Sequence, residues 1–195
     1  MQLEQFELGI VGNYEETHGG YVLMAHGTKY AIFLRNSNSL RAEAEVSIDG
    51  EFVGTWRLNP YTPMKIERPP SSKKQFTFFA EKSKEASQAQ LESVSPQDLG
   101  VVSVKFIPEK RPSPVFTKGE NSIPVSMGIT RGDIGAGGTG LSGHSSQEYV
   151  HVGSIDRNEN NSVTIELRLI HDKAVKNNDV EPLHRRKVFS APPPI

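Results

Sequence analysis

The residues that come nearest to chemistry in this chain are glycines. Residues 128–149 read GITRGDIGAGGTGLSGHSSQEY, with glycine at seven positions, and Gly135, Gly137 and Gly140 satisfy the dinucleotide pattern G-x-G-x-x-G. Glycines so spaced cradle a pyrophosphate when a buried strand precedes them and a helix opens directly after, because the first turn of that helix supplies the N–H groups. Here LSGHSSQEY follows, with Gly143 and three serines where the helix should run, and no βαβ pattern surrounds it. A three-glycine match inside a run of seven arises readily by chance. Gly135, Gly137, Gly138, Gly140 and Gly143 are therefore read as a glycine-rich loop, flexible or tightly turning, and not as a phosphate site.

The other candidate groups are weaker still. Arg131-Gly132-Asp133 is an adhesion tripeptide, but three-residue matches are common and a polar turn explains it. The six histidines, His18, His26, His144, His151, His171 and His184, show neither H-x-H nor H-E-x-x-H spacing, so no metal site is indicated. GLSGH lacks the glycine spacing of a nucleophile elbow. Asn160-Asn161-Ser162 matters only if the chain meets a glycosyltransferase. Trp56 and the cluster Phe76, Phe78 and Phe79 could stack on a sugar or base, but core packing is the commoner use of such rings. HRRK, followed by Val188 and Phe189, could dock on an acidic neighbour, which makes Arg185, Arg186, Lys187 and Phe189 the candidate partner contacts. No catalytic, cofactor-binding or metal-ligating residue is assigned.

Composition narrows the class. The 195 residues carry 22 Lys and Arg against 23 Asp and Glu, a net charge of −1, so nothing global favours nucleic acid or an acidic membrane surface. Cysteine is absent, which excludes disulfides and thiolate metal sites. The opening MQLEQFELGIVGNYEE lacks the basic and apolar regions of a signal peptide, and no apolar run is long enough to span a bilayer. The expectation is synthesis in a cytoplasm.

Strands must position whatever function there is. Ala42, Ala44, Val46 and Ile48 alternate with Glu43, Glu45 and Ser47, a period of two that puts each set on one sheet face. Asp49-Gly50 follows, and then EFVGTWRL. Asp-Gly between two such runs predicts a type I′ hairpin, which needs positive φ at both central residues. Further strands are read in YVLMAHG, KYAIFLRN, PMKIERP, QFTFFAEK, LGVVSVKFIPE, IPVSMGIT, QEYVHVGSI and SVTIELRLIHD. Residues 83–94 predict one short surface helix, and residues 107–124, with four prolines, an extended loop. Short strands punctuated by Gly, Pro, Asn and Asp predict an all-β sandwich or barrel. One domain over 1–175 is expected, with an extended tail over 176–195.

The order YAIFLRN, AEVSIDG, LGVVSVKF, GAGGTGLSGHSSQ and VTIELRLI resembles a poorly characterised β-rich family of bacteria and large DNA viruses. The matching positions are Tyr30–Asn36, Val46–Gly50, Gly100–Phe106, Gly137–Ser145 and Thr164–Leu169. The chain is also similar to the single jelly-roll proteins that form the five-fold vertex, or penton, of large icosahedral DNA-virus capsids. That resemblance implies a single antiparallel jelly roll of about eight strands. It also implies a non-enzymatic structural role in the virion, with a homopentamer contacting neighbouring capsid proteins through loops and tail. The alternative from the same fold is a carbohydrate- or receptor-binding module, which an exposed Trp56 would favour.

Overall fold

The computed structural model describes residues 1–12, 14–16, 19–111 and 135–171. Twelve strands are formed by the described residues, more and shorter than the eight expected. In chain order they are β1 (Gln2–Leu3), β2 (Phe6–Gly12), β3 (Tyr14–Glu16), β4 (Tyr21–Met24), β5 (Tyr30–Asn36) and β6 (Ala42–Ile48). Then follow β7 (Glu51–Leu58), β8 (Pro63–Ile66), β9 (Gln75–Ala80), β10 (Val101–Pro108), β11 (Gly137–Ser142) and β12 (Val163–His171). A four-stranded sheet, in the order β1-β2-β5-β8, faces a six-stranded sheet, β3-β4-β12-β10-β6-β7, and β9 and β11 form a separate pair.

The two larger sheets make an all-β sandwich because each strand turns one apolar set inward. Phe6, Leu8 and Ile10 of β2 meet Val102, Val104 and Phe106 of β10 in one buried cluster, where the Phe6 and Phe106 rings stack with centroids 4.7 Å apart. Ala42, Ala44, Val46 and Ile48 of β6 and Val163, Ile165, Leu167 and Leu169 of β12 complete the same core. Burial of these side chains is what offsets the conformational entropy lost on folding. The pairing is not wholly antiparallel as expected: β4 and β12 run parallel, from Tyr21 opposite Arg168 to Met24 opposite His171. The two strands are far apart in the chain, so no tight turn dictates their relative direction.

The Asp-Gly hairpin forms as read. Ile48 pairs with Glu51, and Asp49 and Gly50 have φ of 53° and 80°. The short helix is α1 (Lys84–Gln88), capped by the Ser83 hydroxyl on the Ala86 N–H, with Ala86 buried. A left-handed Gln90 then breaks it before a single 3-10 turn at Leu91–Ser93.

The glycine run is not a free loop, since Gly137–Ser142 pairs antiparallel with β9 from Gly137 opposite Ala80 to Ser142 opposite Gln75. QEYVHVGSI is not a strand. Side-chain bonds hold its start across a sheet edge, as described below. IPVSMGIT, the Arg-Gly-Asp tripeptide, most of the proline-rich loop, His18, and the tail with His184, Arg185, Arg186, Lys187 and Phe189 lie outside the described residues.

Candidate functional site

The glycine run and the Asp-Gly turn, which the sequence presents as separate features, meet in space. Thr139 sits opposite Phe78 in the β9–β11 ladder. Phe78 commits its own N–H to the Thr28 carbonyl and its carbonyl to the Gly27 N–H, on the side away from β11. Thr139 is thus at a non-hydrogen-bonded pair, and its N–H points outward. Asp49 receives it: Oδ2 accepts from the Thr139 N–H at 2.6 Å, and Oδ1 accepts from the Gly100 N–H at 2.6 Å. Thr139 is held a second time by its hydroxyl, 2.6 Å from the phenol oxygen of buried Tyr30. One carboxylate therefore joins the hairpin, the turn that opens β10, and β11.

Burial dominates the electrostatics there. Asp49 is 7% exposed, and desolvation pushes its carboxyl up to about 6. The two N–H donors and Arg168 pull the other way, while Glu51 adds to the rise. Burial likewise raises the Tyr30 phenol and lowers the Arg168 guanidinium. Arg168 lies on the face of β12 opposite Leu167 and Leu169 and donates to the carbonyls of Pro96, Gln97 and Leu99, so this buried charge fixes the loop ahead of Gly100.

The glycines of β11 have a packing role. A Cβ on Gly137 would run into the Phe78 ring and stand 2.8 Å from the Phe79 carbonyl. A Cβ on Gly138 would stand 2.7 Å from Leu99 Cδ1, and one on Gly140 would enter the Phe79 ring. Three aromatic or aliphatic side chains occupy the space that side chains on β11 would need. Gly135 forms a bridge with His171, and Gly143, with φ of 64°, lies under the Lys29 ammonium. Beside the turn an open groove of about 320 Å³ is lined by residues that include Asp49, Phe52, Leu91, Thr139 and Leu141. Phe52 is 65% exposed at its rim.

A second surface lies on the β7–β8 side. The Gln147 side chain imitates a strand residue: its Nε2 donates to the Lys65 carbonyl and its Oε1 accepts from the Glu67 N–H at 2.8 Å. The Arg68 guanidinium donates to the Gln147 carbonyl and stacks over the Tyr149 ring, whose hydroxyl donates to the Arg68 carbonyl at 2.7 Å. Tyr149 then packs edge-on against Trp56, and further on the Ile155 N–H reaches Glu43 of β6. Residues 145–155 thus form a strap from β8 across to β6. Val150 and Val152 on it are 85% and 59% exposed, and among the described residues no backbone hydrogen bond joins 148–154 to another segment.

The remaining candidates disperse. Trp56, which had to be exposed to serve a glycan site, is 6% exposed. Phe76 and Phe78 lie in the main core and Phe79 in a smaller cluster with Ala86, Leu91 and Leu99. His26 accepts from the Ala80 N–H at 3.2 Å, whereas His144 and His151 are exposed and far from any ligand set. Ser142 is 2.7 Å from the Thr77 hydroxyl. Among the described residues no three His, Asp or Glu side chains gather to hold a metal, and no helix is long and apolar enough to cross a membrane. The residues that sequence reasoning missed are Arg68, Gln147 and Tyr149; Arg68 meets the other two across 79 and 81 positions of the chain, which leaves no local pattern. Compared with known proteins, the chain matches no family model, no curated protein and no solved structure.

Proposed function

We propose that this protein is a non-enzymatic structural subunit of the jelly-roll penton kind, assembling with copies of itself and with neighbouring capsid proteins in a virion. The observation that carries the reading is the strap. Tyr149–Val152 has a strand-like sequence, yet its two valines face solvent and its backbone has no ladder among the described residues. An extended apolar segment with free N–H and C=O groups is what a neighbouring sheet edge recognises by strand addition. A cyclic ring needs such a head-to-tail contact, in which one patch meets a different patch of the next copy. The buried charges support the same reading, because Asp49, Arg68 and Arg168 direct their hydrogen bonds to backbone groups.

Light scattering across a concentration range tests this. A ring of five, or a concentration-dependent approach to one, is expected, and the double change Val150→Asp with Val152→Asp should return the protein to monomer with its melting temperature kept. A clean monomer at every concentration would instead favour the glycan- or receptor-binding alternative, with the exposed Phe52 and the groove beside it as the contact.

A further inference from the structure

We infer that Asp49 is a proton-operated latch: on taking up a proton at Oδ2 it releases the Thr139 N–H and frees the outer edge of β11, the strand that walls the groove. The inference is independent of the assembly reading.

The geometry makes the carboxylate a two-sided acceptor. Each oxygen holds one backbone N–H, and protonation turns a lone pair of one oxygen into an O–H donor and removes the carboxylate charge, which leaves that oxygen a much poorer acceptor. One of the two bonds is therefore weakened on protonation. The Gly100 side is enclosed: its bond is buried, and the Gly100 carbonyl also accepts from the Leu169 N–H at 2.7 Å. The Thr139 side is only partly buried and belongs to a two-stranded sheet, with Asp49 on the edge that β9 does not cover. The proton is placed at Oδ2 on that ground.

The groups facing the carboxylate come from four elements. Glu51 on β7 opposes its charge, and Asp98 lies against Gly50, 3.3 Å from where that residue's Cβ would be. Arg168 on β12 favours the charged form, and the buried Tyr30 phenol on β5 senses the Asp49 charge. Their balance, with burial foremost, brings the carboxyl to about 6 from an ordinary 3.8. Because the folded value is the higher one, the folded protein takes the proton before the unfolded chain does. Acidification from pH 7 through 6 toward 4 thus adds to global stability through this group even while the β11 contact opens. Local loosening without global loss is the signature, since protection from exchange reports opening segment by segment.

The test is amide hydrogen exchange on the whole protein between pH 7.5 and 5, corrected for the intrinsic pH dependence of exchange. Protection at Thr139 and its β11 neighbours should fall at least tenfold with a midpoint near 6, while Val104 and Phe106 on β10 stay protected. Asp49→Asn keeps one acceptor and cannot titrate, so β11 should exchange fast at both ends of the range. Should that variant fail to fold, the side-chain carboxyl carbon of wild-type Asp49, followed by NMR, still reports the titration. Flat β11 protection, an Asp49 carboxyl that titrates near 4, or equal loosening at Val104 would each overturn the latch.

Discussion

The two glycine-bearing regions that meet at Asp49 need glycine for different reasons. In the hairpin, Gly50 has φ of 80°, a backbone conformation that a side chain resists, while the nearest atoms, those of the Asp98 side chain, would stand 3.2–3.4 Å from a Cβ and need give only a few tenths of an ångström. In β11, Gly137 and Gly140 lie in a regular ladder, and what forbids a side chain is the space taken by the Phe78 and Phe79 rings. The hairpin's glycine answers to its own backbone and the strand's glycines answer to distant residues. Gly100 stands between them, with φ of 79° and with the Leu169 and Gly137 carbonyls where a Cβ would go. Identical residues in one sequence therefore carry constraints of local and of tertiary origin.

Substitutions separate the two constraints, and the position that combines them should lose most. Gly100→Ala adds left-handed strain to a collision with backbone atoms that cannot swing aside, so a loss of about 3–4 kcal/mol is expected in urea unfolding. An effect below about 1 kcal/mol would mean that the β10 turn can shift to admit a methyl group.

Gly137→Ala meets the Phe78 ring first, with the Phe79 carbonyl 2.8 Å away, and overpacking of this kind costs about 1–3 kcal/mol. Because the obstacle is the Phe78 ring, the companion change Phe78→Leu should recover part of that loss, so that the pair is less damaging than the sum of the two single changes. Strict additivity in that cycle would remove the ring from the explanation.

The smallest effects belong to the hairpin. Gly50→Asn should lose under about 1 kcal/mol, since Asn tolerates positive φ, whereas Gly50→Val should lose about 1–2 kcal/mol or more. Equal melting temperatures for the Asn and Val variants would show that φ is not what selects glycine at the turn.

The same division describes how much could be read in advance. Strands β6, β10 and β12 were legible because their apolar residues alternate with period two, and the Asp-Gly turn that leads into β7 because its conformation is a property of two adjacent residues. Strand β2 carries the same period-two signal in Phe6, Leu8 and Ile10. The glycine run carried no strand signal, because a side chain's absence has no period. Nor did QEYVHVGSI reveal itself as a strap: it alternates like a strand, and only the Gln147 amide, taking the places of ladder partners on β8, diverts it.

By itself the sequence determined that this chain is strand-dominated, cysteine-free and near neutral, with a type I′ hairpin at Asp49-Gly50, because periodicity and turn chemistry act over a few residues. Only the tertiary structure decided that Asp49 holds Gly100 and Thr139, that Arg68 and Tyr149 anchor a strap, that Trp56 is inside, and that β4 lies parallel to β12. These are contacts between residues tens of positions apart. They depend on which surfaces the sandwich brings together, and no local pattern encodes that.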